Sequence, residues 1–327
     1  GTTVEVSALD GRVIANRDGV ALEPLHLTLA GVPLEARGWV TGVAPPALDL
    51  RVVGRPFDGT VAADLLVEPS GAARARVEAG AIDLAAAVPH AAPELRGRIE
   101  GRASGAAVVT ARYTGGALVA GSLAGNGSVT VDNGKLRDVN LPDLLVEQIE
   151  RVPLMPQLVS ARTRARYADL FGSRDTVVES ATVPFTIARG RLNTDRAVFD
   201  NPAYQIDGSG WIDEVQQLRF RGTVLLGAAV SRTLRDDVRA AKYLAADDGR
   251  ITLPFVARGQ LGKVWVEPDA KRLRARGLTA LLGKSGSGSK GADDGNDDDH
   301  GDDRRAPPRE PPIEERVIER LERMLRP

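Results

Sequence analysis

Apolar residues fall on alternate positions through most of the first 227 residues. Leu25, Leu27 and Leu29 in "LHLTLAG", Leu48, Leu50 and Val52 in "LDLRVVG", and Val264 and Val266 in "KVWVEPD" are spaced by single residues. A period of two places such residues on one face of an extended strand, because successive side chains point to opposite sides. One longer spacing, apolar-x-apolar-x-x-Gly-x-apolar, recurs at Val6, Ala8, Gly11, Val13 and at Ala75, Val77, Gly80, Ile82. It returns at Ala111, Tyr113, Gly116, Leu118, at Val129, Val131, Gly134, Leu136 and at Phe185, Ile187, Gly190, Leu192. A strand, a glycine free to take positive φ, and a resumed alternation read together as a hairpin. The recurrence therefore predicts antiparallel meanders, with "GSVTVDNGKL" (127–136) turning at Asp132-Asn133-Gly134. The segment 196–227 predicts at least three more strands, with turns at Asn201-Pro202 and at 207–210.

Helical spacing interrupts this pattern. Residues 140–152 offer Asn140 as a cap, Pro142 in the first turn, and Leu144, Leu145 and Ile149 on one face. Residues 160–171 and 228–245 predict two further helices, the latter with Val230, Leu234, Val238 and Ala241 on one stripe, and 268–283 a short one. Residues 284–311 have almost no apolar side chains and predict a disordered acidic linker. After it, Ile313, Val317, Leu321, Met324 and Leu325 form the stripe of an amphipathic helix over 312–327, whose mixed Glu and Arg face favours a protein contact over a membrane surface.

Composition narrows the chemistry. Aromatics are 4% of the 327 residues and there are 35 glycines, so the apolar material is Val, Leu and Ala. A net charge of −1, from 43 basic and 44 acidic residues, provides no field for nucleic acid. There is no cysteine, which excludes disulfides and thiolate metal sites. No run of about 18 apolar residues occurs, and the chain starts at Gly1 without a signal peptide, as a mature product or an excised part would.

Catalytic and cofactor motifs do not form. Asp132-Asn133-Gly134 is too compressed for a calcium loop, and Asp293 to Asp303 lacks the glycine such a loop needs at its sixth position. Gly283-Lys284-Ser285 ends like a phosphate loop, but Gly277 stands one residue too far away and no strand precedes it. There is no G-x-S-x-G elbow, and His26, His90 and His300 stand apart with no partners at ligand spacing. The expectation is a non-enzymatic protein with no metal and no cofactor.

Three segments carry a family resemblance. "GSLAGNGSVTVDNGKLRDVNLPDLL" resembles the G-x-G, strand, n-G-x-l and helix entry of the C-terminal region of the AsmA family of bacterial envelope proteins. "TVPFTIARGRLNTDRAVFDNPAYQIDGSGWIDEVQQLRFRG" resembles that family's next strands, and "ITLPFVARGQLGKVWVEPD" its closing strand pair and helix, in the same order over about 95–283. Gly262-Lys263, where a proline is common, and the acidic linker depart from the pattern. The resemblance implies a mainly β fold: a long, curled antiparallel sheet, groove- or taco-like, with interspersed helices. It implies periplasmic proteins that shield phospholipid acyl chains between inner and outer membranes, and an inner-membrane anchor upstream of this chain.

The organisation expected is an N-terminal β-groove portion at 1–95, a β region with helices at 96–283, the linker and the terminal helix. The groove candidates are Val129, Val131, Leu136, Phe185, Ile187, Leu192, Val198, Ile206, Leu218, Phe220, Val224 and Val264. Which parity of each strand faces the groove stays open, since a one-residue slip reverses it. Two functions fit: a lipid-binding or lipid-transfer module taking acyl chains, or an assembly factor of the outer membrane acting through protein contacts at sheet edges or through the terminal helix.

Overall fold

A computed structural model describes residues 6–29, 32–42, 47–114, 117–119, 121–151 and 158–273. The linker at 284–311, the amphipathic helix at 312–327 and most of the helix expected at 268–283 lie outside the described residues.

The alternating segments form strands β1 (Val6–Ala15), β2 (Val20–Leu29), β3 (Val32–Thr41), β4 (Ala47–Gly54), β5 (Thr60–Val67), β6 (Ala72–Asp83) and β7 (Ile99–Thr114). They continue as β8 (Ala117–Leu118), β9 (Ala124–Leu136), β10 (Thr176–Ala188), β11 (Arg191–Asn201), β12 (Tyr204–Asp213), β13 (Gln217–Leu226), β14 (Thr252–Gln260) and β15 (Lys263–Pro268). All pair antiparallel in one open 15-stranded sheet that follows chain order, with only the short β8 off the path, beside β7. At roughly 4.8 Å between strands, the path from β1 to β15 is about 60 Å long. The expected boundary at residue 95 falls in the β6–β7 connection, and those strands pair from Ala72↔Arg112 to Asp83↔Arg102, so the sheet runs through it.

Cross-strand register carries one apolar face through the sheet. Leu27, Leu34, Gly54, Val61, Ala79, Gly105, Val129 and Val183 lie opposite one another in turn. On the other face Glu35, Val53, Ala62, Glu78, Ala106, Ser128 and Pro184 do the same. Cross-strand ion pairs such as Arg51–Asp64 at 3.3 Å and Arg258–Glu267 at 2.9 Å decorate this second face. The sheet curls as it proceeds: a Cβ added at Gly262, in the β14–β15 turn, would lie 2.9 Å from Glu94 in the β6–β7 connection.

The recurring glycine motif resolves into two different devices. At Gly190 the chain does reverse, and at β7–β8 Tyr113 pairs with Leu118 across residues 115–116, which lie outside the described residues. Gly11, Gly80 and Gly134 instead sit inside single strands, each at a shift of register against a neighbour. The Asp132-Asn133-Gly134 corner is therefore a β-bulge and not a hairpin. Asn133 takes φ +52°, and buried Gly134 leaves room for Val178, whose Cγ2 would be 2.6 Å from an added Cβ. A bulge satisfies the same glycine signal while the strand continues. The turn expected at 207–210 is likewise absent, and β12 passes straight through. Gly208 and Gly210 are there because Phe220 packs on them, with its ring 2.4 Å from an added Cβ at Gly208.

Helices α1 (Leu84–Ala91), α2 (Leu141–Glu150), α3 (Ala161–Arg166), α4 (Ala168–Phe171) and α5 (Ala228–Asp237) occupy the longer connections. His90 lies in α1 and stacks on Phe57, with ring centroids 5.1 Å apart. Asn140 caps α2 by accepting from the Asp143 amide at 3.1 Å, and the buried face is Leu145, Val146 and Ile149. The helix expected over 160–171 breaks at Tyr167, and that over 228–245 breaks at Val238, whose extended φ of −133° leads into a 3-10 turn (Arg239–Leu244).

Candidate lipid-binding trough

The apolar face exists in two states along the sheet. Over β12–β14 it is roofed: Leu145, Val146, Ile149, Leu170, Phe171, Val230 and Leu234 pack with Ile206, Val224, Leu226, Leu253 and Phe255 in the main core. Hydrogen bonds lock this roof in place. Gln148 Nε2 donates to the Val266 carbonyl of β15 at 2.9 Å, and Glu150 accepts from the amides of Leu158 and Val159 at 2.8 and 3.0 Å. Ser160, the cap of α3, and Thr163 both donate to Asp237 at the end of α5, which holds that carboxyl below its ordinary value. Arg164 bridges Asp143 and Glu150 of α2. Beneath α2, the Tyr204 hydroxyl donates to the Val177 carbonyl at 2.5 Å, and burial pushes its pKa up to about 12.

From β2 to β11 the same face lies outside the helical roof and is mostly half-buried, although Ala36, Val67, Ala181 and Ala197 on it are buried. Its side chains alternate half-buried with exposed neighbours of opposite parity, as in β6 from Ala73 to Ala79 and β9 from Gly125 to Thr130. The floor is made shallow by small residues. Phe185 lies over Gly127, 2.7 Å from an added Cβ, while Gly105 and Gly125 face Val129 and Val109, whose Cα atoms would lie 3.3 and 3.0 Å from an added Cβ. An open cleft of about 940 Å³ crosses one end of β2–β6, lined by Leu27, Leu34, Val61 and Ala79 and also by His26, Glu35, Arg55 and Glu78. One polar group interrupts the apolar face: Thr194 is 9% exposed, and its hydroxyl has no hydrogen-bond partner among the described residues.

The twelve expected groove residues divide by position. Val129, Val131, Phe185, Ile187, Leu192 and Leu218 lie half-buried on the trough face. Phe220 shares that face where the roof begins, 6.1 Å from Phe255. Ile206 and Val224 lie on the same face but in the core, 5% and 0% exposed beneath the helices. Val198 is corrected to the opposite face, since it pairs with Thr182 and Asp207 while its neighbour Phe199 pairs with Ala181 and Ile206. The bulge between Thr194 and Ala197 reverses the parity there. Leu136 lies beyond the bulge at a strand end, 36% exposed, and Val264 lies on the terminal edge strand, 40% exposed.

The trough residues missing from that set belong to the N-terminal strands: Leu25 and Leu27, Leu50 and Val52, Ala63 and Leu65, Ala75 and Val77. Alternation made several of them visible, but only pairing shows that they continue the face of Val129 and Val131. Among the described residues, no group of three or more His, Asp or Glu side chains is placed to hold a metal ion, and no helix is long and apolar enough to cross a membrane. No family model, curated protein or solved structure matches the chain.

Proposed function

We propose that the protein is a non-enzymatic lipid-binding or lipid-transfer module of a bacterial envelope, whose trough shields phospholipid acyl chains while head groups stay in water. The observation that carries this reading is the apolar face that continues from β2 to β14, roofed by helices over β12–β14 and mostly half-buried without that roof over β2–β11. Each methylene withdrawn from water contributes about 0.8 kcal/mol, so a smooth trough holds a chain without any specific polar contact. Small floor residues leave the trough unfilled by its own side chains. The resemblance to AsmA-like segments supports placing this activity in the periplasm, between the inner and outer membranes.

Lipid extraction from the purified full chain followed by mass spectrometry tests the proposal. Phospholipid should co-purify, and the delipidated protein should take up a fluorescent fatty acid. Neither lipid nor uptake would sink it. A second reading, an assembly factor working by protein contact, is favoured by one feature: Trp265 stands 76% exposed on the terminal edge strand β15. A partner adding a strand there would quench Trp265 fluorescence in the absence of any lipid.

A further inference from the structure

We infer that the β7–β8 tip is a bilayer-contact element, through which the trough meets a membrane bearing anionic lipid. The inference rests on the lipid reading of the trough and adds where lipid would enter it. Three large apolar residues crowd this short tip: Leu118, Val119 and Leu123 are 64%, 42% and 42% exposed. A free aqueous tip gains nothing from such exposure. The tip is held in place, for Ser122 Oγ accepts from the Arg112 amide at 2.9 Å and donates to the Val119 carbonyl at 2.7 Å. It is also continuous with the trough. Leu118 pairs with Tyr113, whose parity is that of Ala111, Val109 and Ala107 on the trough floor.

Charge on the opposite face selects the partner. Arg74, Arg76 and Arg112 project from β6 and β7 behind the tip, all exposed, and none has an ion-pair partner among the described residues. The nearby carboxylates are Glu68, in the β5–β6 turn, Asp64, which lies opposite Arg76 and which Arg51 already holds, and Glu78, two residues beyond Arg76 on the same face. An apolar wedge with a basic collar fits a membrane surface carrying phosphatidylglycerol or similar head groups, with the leucines at acyl depth and the guanidinium groups at the phosphates.

The test is flotation of the full chain with vesicles of phosphatidylcholine alone and of phosphatidylcholine with phosphatidylglycerol, beside fatty-acid uptake without vesicles. The parent should float with the anionic vesicles. Leu118→Ser with Leu123→Ser should weaken this by about tenfold or more. Arg74→Gln with Arg112→Gln should cost about fivefold per arginine on anionic vesicles and little on neutral ones. Both variants should keep the parent's fatty-acid uptake and thermal midpoint. Flotation equal to the parent's in the leucine variant, or no flotation of the parent, overturns the inference. Leucine-dependent flotation with no uptake by any form supports the contact surface and overturns the trough reading instead.

Discussion

The roofed and bare stretches of this sheet are built from the same alternation, and they differ in what the connections do. Between β9 and β10, and between β13 and β14, the chain inserts helices that fold back over the apolar face, burying Leu226 and Val224 to 0% exposure. Between β2 and β6 the connections are short or reduced to a single 3-10 turn, and most of the face they leave is half-buried. Apolar periodicity thus sets which side of a strand avoids water. Whether that side becomes core or stays open depends on the length and sequence of the loops between strands.

The sharpest break of the comparison is mechanical. Leu253→Ala under the roof should cost about 2–5 kcal/mol, whereas Leu50→Ala in the bare trough of lipid-free protein should cost about 1 kcal/mol or less. Urea denaturation of the two variants measures this, and equal losses would mean that the trough is core. Next in size is the effect on ligand. Val129→Asp should lower fatty-acid uptake by about tenfold, because a carboxylate in the floor must be desolvated, while Val198→Asp, on the opposite face, should leave uptake unchanged. Reversal of that order would invert the assignment of faces.

Two predictions probe the roof by pH. Tyr204→Phe should cost about 1 kcal/mol at neutral pH. The Tyr204 pKa is raised in the folded state, so its contribution is complete below its unfolded value and is lost as pH rises through about 12. Alkaline unfolding curves of parent and variant should converge there. Asp237 works in the other direction, being lowered by the Thr163 and Ser160 hydroxyls. Its latch should hold above the ordinary carboxylate range and loosen as pH falls through its folded value, read as faster amide exchange in α3 and unchanged exchange in β6. The smallest effect belongs to the trough: Thr194→Val removes a buried hydroxyl without a partner and should change stability by about 0 to +1 kcal/mol.

Much of this architecture was legible in the residues alone. Period-two runs marked the strands, and Asn140 and Pro142 marked the start of α2. These are local signals, set by side-chain direction, capping and turn chemistry within a few residues. Tertiary structure alone decided the rest. Gly134 and Gly190 stand in the same motif, yet one is a bulge and the other a reversal, because the outcome depends on the strand lying alongside. Val198 and Phe199 are both apolar neighbours, and only the bulge before Ala197 determines which of them faces the trough. Ile206 and Val129 have the same alternation, but helices from distant connections cover the first and leave the second open. The sequence by itself determined that one face of these strands would be apolar; pairing, bulges and the folding-back of loops decided where that face stays open, since long-range contacts carry no periodicity that a local reading can detect.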